Sequence, residues 1–273
     1  MLNILRNSIN VLRKVSGLDS DASAFIMAAG LTDATQKDAI NTLVKDMKAA
    51  GLWSKMKAVY PMVGGTATSM KFNLKDPRDL DAAFRLTWSG GWTYSTNGAQ
   101  PNGTNGYADT KFSPSANLTL NSSHLSIYSR TSIGNLPQSD MGSYSTGAND
   151  TFTLAIAYSN VCYMGSYTFS GTAYYIDFAN TDSKGYYVNT RTSSTLFKGF
   201  KNNIIGDTST NSVGGTLPSF NTIIGAESLN GSPVSYSTKQ YAFATIGTGL
   251  TDAEVALLTQ LVTEFQTTLS RNI

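Results

Sequence analysis

Few side chains in this sequence are equipped for catalysis, and their spacing limits what they can do. His124 is the only histidine and Cys162 the only cysteine. One imidazole excludes a two-histidine metal site, and one thiol excludes an intrachain disulfide and a cysteine-based zinc site. A nucleophile–base pair needs the two groups within about 3 Å, so His124 would have to work with a serine of NSSHLSIYSR. No GxSxG elbow occurs, and the segment reads instead as a strand start with a hydrogen-bonded histidine at its edge. Carboxylates gather in KDPRDLDAAFR as Asp76, Asp79 and Asp81. A glycosidase needs two carboxyls about 5–10 Å apart, one of them with a raised pKa. Arg78 and Arg85 lie among these aspartates and favour ion pairs, while Asp76 before Pro77 is turn chemistry. The glutamates are Glu227, Glu254 and Glu264; Glu254 reads as a helix cap and Glu264 lies on the same helix. No catalytic residue is expected, and no enzyme.

Calcium takes six to eight oxygens, several from carboxylates. Asp109, Asp140, Asp150, Asp177, Asp182 and Asp207 are scattered without EF-hand spacing, so no metal or other cofactor is expected; calcium is an alternative that no motif supports. Sugar binding would use aromatic faces against C–H groups, with amides and carboxylates for hydroxyls. Trp88 continues the apolar run Phe84–Leu86–Trp88 and reads as core. Trp92, Tyr94 and Tyr107 are the candidate glycan or interface aromatics, with Tyr144 and Tyr163 also available. Sugar contact and subunit packing both stay open for these rings.

The elements that position these groups follow from composition and pattern. Of 273 residues, 41% are hydrophobic, enough for a core. Charged residues are 14%, below the roughly 25% of an average soluble domain. Twenty basic and 18 acidic residues leave a net charge of +2, and without a basic stripe nucleic acid is not an expected partner. No stretch approaches the apolar length of a membrane span, and MLNILRNSINVLRK has no continuous apolar core of a signal peptide. Leu2, Leu5, Ile9 and Leu12 are spaced 3, 4, 3, an a/d seam too short to stand alone as a helix. Residues 1–30 are therefore expected to form an attachment or oligomerisation arm. Residues 31–63 read as helices: one capped at Thr32 or Asp33, carrying Ile40, Leu43, Val44 and Met47 and stopping at Gly51, and a second carrying Leu52, Trp53, Met56 and Val59. Residues 64–273 read as short strands, including Met70–Leu74, Leu125–Tyr128, Thr151–Tyr158, Gly185–Asn189, Thr195–Phe200 and Tyr241–Thr245, followed by a helix with Val255, Leu258, Val262, Phe265 and Leu269 on one stripe. Thr251 and Glu254 stand in a capping-box relation.

Several segments resemble laminin-G-like, concanavalin-A-like jelly-roll domains. PNGTNGYADT at 101–110 is similar to the family's early strand-turn-strand, with Asn-Gly pairs suited to a hairpin. RTSSTLFKGFKNN at 191–203 resembles the strand-turn, with Phe197 and Phe200 on the strand and Asn203 in place of the closing glycine. NTIIGAESLNG at 221–231 and FATIGTGLTDAEVALL at 243–258 follow in the family's order. Over roughly 31–273 the chain also resembles lectin-like modules of tailed-bacteriophage appendages, a helical pair before the jelly roll and "LTDAE…FQTTLSR" after it. The resemblance implies a mainly β chain: an antiparallel jelly-roll sandwich with an N-terminal helical arm and a C-terminal helix. It also implies a structural head-fibre or tail-appendage subunit on the virion surface, assembled in the host cytoplasm. Its expected partners are copies of itself in a homotrimer, other virion proteins and host surface glycans. A free carbohydrate-binding lectin is the alternative, and a glycan-degrading enzyme a weaker one.

Overall fold

The computed structural model describes residues 17–148, 150–168 and 175–273. The seam residues Leu2, Leu5, Ile9 and Leu12 lie outside the described residues. Among the described residues, two long helices come first, α1 (Ser20–Ala28) and α2 (Ala34–Ala49), and α3 (Asp252–Thr268) comes last. Asp33 caps α2 by accepting from the Gln36 amide, and Gly51 stops it at φ 72°. Thr251 and Glu254 form the expected capping box on α3.

Between them, among the described residues, run seventeen strands. The first eight are β1 (Met56–Tyr60), β2 (Thr87–Ser89), β3 (Trp92–Ser95), β4 (Gly98–Pro101), β5 (Tyr107–Asp109), β6 (Ser123–Ser129), β7 (Met141–Ser145) and β8 (Asp150–Tyr158). The rest are β9 (Val161–Thr168), β10 (Ile176–Ala179), β11 (Gly185–Ser193), β12 (Leu196–Lys201), β13 (Ile204–Ser209), β14 (Ile223–Ile224), β15 (Glu227–Leu229), β16 (Ser232–Val234) and β17 (Tyr241–Gly247). One sheet has the order β13-β12-β11-β6-β17-β4-β3, with β1 also on β17. The other has the order β10-β9-β8-β7-β14-β5-β2, with β15 on β7 and β16 on β15. All pairings are antiparallel except the short β15–β7 contact.

Two cores define three layers. Leu125, Ile127, Tyr187, Phe197 and Tyr241 of the first sheet meet Met141, Phe152, Leu154, Met164 and Ile224 of the second. Tyr128, Tyr186, Val188, Phe200 and Phe243, from the opposite face of the first sheet, pack with Phe25, Ile40, Leu43, Val44, Leu258, Val262 and Phe265 of the helices. The sandwich is thus roofed on one side by helices, and the nine-stranded sheet keeps the other face. The described part of residues 1–30 belongs to this roof, because Ala22, Phe25 and Ile26 of α1 share the helical core.

Three sequence expectations change. The second helix over 52–59 is a single 3-10 turn, Trp53–Lys55, followed by strand β1 on β17. Met56 and Val59 enter the helical core while Ala58 and Tyr60 enter the sandwich core. A strand buried on both faces has no polar alternation, so its apolar spacing imitates a helix. Met70–Leu74 is not a strand: one helical turn ends at Met70 and only an isolated bridge follows. PNGTNG is no hairpin but the crossing from β4 in one sheet to β5 in the other. Asn102 organises it, its Oδ1 accepting from the amides of Thr104, Asn105 and Gly106. The expected turn after β12 is present, with Asn202 and Asn203 both at positive φ, 51° and 66°.

Candidate functional site

The groups considered for catalysis are occupied. Asp76 is bound by Arg78 at 2.5 Å, Asp79 by Lys71 at 2.5 Å and Arg85 at 2.7 Å, and Asp81 by Arg85 at 3.0 Å. The Arg78 guanidinium holds the Asp76 carboxyl below its usual range, and Lys71 does the same for Asp79. Cys162 is buried, and burial pushes its thiol well up. Among the described residues, no group of three or more His, Cys, Asp or Glu is placed to hold a metal ion.

His124 lies near the start of β6, fully buried, with Nδ1 2.6 Å from the Thr248 carbonyl and Nε2 3.0 Å from Thr245 Oγ1. A carbonyl can only accept, so Nδ1 carries the proton and Nε2 accepts from Thr245. Ser126 lies 2.5 Å from Thr245 Oγ1 and receives the Tyr186 hydroxyl at 2.7 Å. All of these hydroxyls are sealed from solvent, so the relay is structural. Burial lowers the His124 pKa to about 4. The unfolded chain takes up a proton near pH 6.5 while the native state does not, so stability is full above pH 6.5 and is lost as pH falls toward 4. The expected loss is about 3 kcal/mol across that window. Urea midpoints of wild type and His124→Asn between pH 7 and pH 4 measure it, and parallel pH curves would remove His124 as the cause.

Trp92 and Tyr94 are half-buried. With Trp88 they form an aromatic cluster, centroids 4.9 Å (Trp88–Trp92), 5.1 Å (Trp88–Tyr94) and 6.4 Å (Trp92–Tyr94) apart, packed against the sandwich core. The Trp88 indole donates to the Ala67 carbonyl at 2.9 Å, and the Trp92 indole to those of Ser89 and Tyr107 at 3.1 and 3.2 Å. Burial pushes the Tyr94 hydroxyl up to about 12. The cluster stands where β2 of one sheet faces β3 of the other, and it closes that end. Indoles need partners when buried, and here the backbone supplies them.

Tyr107 belongs to a different setting. Its side chain makes no hydrogen bond, and it lines a groove of about 290 Å³ together with Asp109, Phe220, Asn221, Ile223 and Pro233. Asn221 donates from Nδ2 to both Asp109 oxygens at 3.1 and 3.3 Å, and Lys111 Nζ pairs with Asp109 at 3.0 Å. Gly231, at φ 86°, turns the β15–β16 hairpin beside Phe220, and a Cβ there would meet the ring at 3.2 Å. Two aromatic walls with a fixed carboxylate–amide pair form a concave site that can stack on a ring and hydrogen-bond hydroxyls.

Sequence reasoning found Tyr107 but missed Phe220, Asn221 and Pro233, and it gave Glu227 no role. Glu227 makes no hydrogen bond or ion pair, and burial alone raises its carboxyl to about 7. No second carboxylate contributes to that shift, so the two-carboxyl arrangement of a glycosidase is not assembled around it. The remaining aromatics, Tyr144 and Tyr163, stand on the nine-stranded sheet.

No family model matches the chain, and no curated protein matches it in sequence. Solved structures share its fold. One is of botulinum neurotoxin type C, whose cell entry depends on interaction with two ganglioside molecules. It matches with a TM-score of 0.53 and 12% identity over 78% of this chain and 53% of that chain. Domain 4 of AbnA, a GH43 extracellular arabinanase from Geobacillus stearothermophilus solved with arabinotriose, matches with a TM-score of 0.49 and 14% identity over 76% and 98%. The CBM40 of the Ruminococcus gnavus IT-sialidase matches with a TM-score of 0.41 and 17% identity over 51% and 83%. At such an identity the likeness to the botulinum neurotoxin structure establishes the fold alone, an antiparallel jelly-roll sandwich.

Proposed function

We propose that this chain is a glycan-binding structural subunit on the outside of a tailed-bacteriophage particle, and that its sandwich contacts sugar through the Tyr107 groove. The observation that carries the sugar-binding part is the groove itself: a free Tyr107 hydroxyl, the Phe220 ring and the Asp109–Asn221 pair on one concavity. The fold likeness to a ganglioside-dependent toxin supports the same reading. The particle, the homotrimer, the other virion proteins and the host-cytoplasm assembly rest on the sequence resemblance in LTDAE and FQTTLSR, with Leu2, Leu5, Ile9 and Leu12 as the anchoring seam. The reading includes no catalytic step and no cofactor.

Tyr107→Ala is expected to weaken binding on a glycan array at least tenfold, the scale of a lost stacking ring, with an unchanged thermal midpoint. Wild-type chain that binds no glycan on the array would sink the reading. A free lectin is the second reading, and one observation favours it: α1 is spent on the chain's own helical roof, which shortens any arm left for a partner. Light scattering separates the two, since an appendage subunit gives a trimer for the full chain and a free lectin gives a monomer or dimer.

A further inference from the structure

Arg191, Arg271 and Lys239 are the buried cations among the described residues, and their surroundings differ. Lys239 has a counter-charge in Asp140, with Nζ 3.1 Å from Oδ1. Arg271 spends Nε and both terminal nitrogens on backbone carbonyls and an amide oxygen. Arg191 has neither a counter-charge nor a full set of acceptors. Its Nε donates to the Ser166 carbonyl at 2.6 Å, and Nη1 meets the Ser194 and Ser193 carbonyls only at 3.3 and 3.5 Å. Nη2 is buried with no hydrogen-bond partner, and the other buried side-chain atoms in that condition among the described residues are all hydroxyls. Burial alone lowers the guanidinium, to about 10, so it stays charged at neutral pH with no neighbouring carboxylate to offset the cost. Asp150, which strand alternation turns to the same interior, accepts from Thr216 Oγ1 at 2.7 Å instead.

The strand register places this guanidinium. Ser123 of β6, Arg191 of β11, Phe197 of β12 and Ser209 of β13 stand opposite one another in one row across the first sheet. Directly opposed residues share a face, and Phe197 enters the sandwich core, so the row faces the second sheet. Ser166 of that sheet meets it, with Oγ 2.8 Å from Ser123 Oγ. The Arg191 guanidinium carbon lies 4.7 Å from the centroid of the Phe197 ring, so the side chain extends along the row toward Ser209. Ser209 Oγ is likewise buried without a partner. Two unpaired donors thus lie beside one ring in the space between the sheets.

A desolvated cation is costly until something compensates both its charge and its N–H groups. Water would satisfy the N–H but leave the charge. An anion does both. It must be small, because Ser123, Ser166, Arg191 and Phe197 are all fully buried, and a sugar carboxylate or an organic phosphate would have to part the sheets to enter. We propose that this end of the sandwich holds a small monovalent inorganic anion, chloride, between Arg191 Nη2 and Ser209 Oγ. The ion neutralises the guanidinium and links β11 to β13 across Phe197. It is a structural ligand, separate from the Tyr107 groove and independent of the glycan reading.

The test compares thermal midpoints of the full chain in sodium chloride and in sodium gluconate at equal pH and ionic strength, gluconate being too large for the interior. The midpoint is expected to be about 2–4 °C higher in chloride and to rise with chloride concentration, as it does for a ligand bound only by the native state. Ser209→Ala removes one donor and Arg191→Gln the charge, and each should at least halve the difference between the two salts. Crystals of the wild-type chain grown in sodium bromide supply a readout that needs no variant: an anomalous peak is expected within hydrogen-bond reach of Nη2. Equal midpoints in the two salts overturn the proposal, and so does a chloride effect that both variants leave intact. A water at Nη2 with no bromide signal overturns it as well.

Discussion

Asp140→Ala is expected to lower the unfolding free energy by about 3–5 kcal/mol, the cost of leaving a buried charge without its partner. Asp140 and Lys239 are both fully buried, with Nζ 3.1 Å from Oδ1. Asp140 also accepts from the Tyr241 hydroxyl at 2.6 Å, the Ile156 amide at 2.8 Å and Ser237 Oγ at 3.3 Å. Removing the carboxylate strands an ammonium that has no other hydrogen-bond partner and an amide, and leaves the Tyr241 and Ser237 hydroxyls, 2.6 Å apart, to each other. Asp140→Ala/Lys239→Met should recover most of the loss, because both charges then leave together. The cluster also sets the groove's frame: the Asp140 carbonyl accepts from Gly225, whose own carbonyl accepts from Ser237. These bonds bracket the hairpin that carries Pro233. Glycan affinity should therefore fall along with stability in the single variant. Urea unfolding decides the matter, and a single-variant loss under about 1 kcal/mol would contradict this account.

Arg271→Met should cost a comparable amount, about 3–5 kcal/mol, summed over several orphaned buried acceptors. Arg271 is fully buried near the chain's end. Its Nη2 donates to the carbonyls of Pro61 and Ala242 at 2.7 and 2.9 Å, its Nη1 to that of Met62 at 2.8 Å, and its Nε to Gln266 Oε1 at 2.6 Å. One guanidinium thus ties the end of α3 to the chain leaving β1 and to β17. Methionine matches the stem's volume but donates nothing, so three carbonyls and an amide oxygen lose their donors. Lysine retains the charge in a different shape and should recover only part of the loss. Thermal melts of the three proteins test this. Equal midpoints for wild type and Arg271→Met would mean that water replaces the guanidinium without cost.

Local chemistry was legible without the fold. Asp33, the Thr251–Glu254 box, Gly51 and the Asn202–Asn203 turn act through neighbours within a few residues, and each works as its spacing implies. The ion pairs of KDPRDLDAAFR were legible for the same reason. The apolar stripe of α3 announced a helix with one buried face, and it packs on the sandwich. The two-sheet architecture followed from short strands punctuated by Gly, Asn and Pro.

Tertiary structure decided everything that depends on which surfaces meet. Helix and strand patterns become indistinguishable once both faces are buried, and so β1 looked helical until β17 and the two cores claimed its sides. Trp92 and Tyr94 are as suitable for a sugar as for a core, and only the juxtaposition of β2 and β3 packs them with Trp88 against the sandwich core. Tyr107 kept an open face because Phe220, Asn221 and Pro233, more than a hundred residues later, form a groove beside it and leave its hydroxyl free. Glu227 has no role that its neighbours in sequence assign; its desolvation exists only because the chain turns at Gly225 and lays β15 along β7. Residues that act through their neighbours in the chain can be read from order and spacing, whereas burial, pairing and charge balance across a sheet are properties of contacts between distant segments.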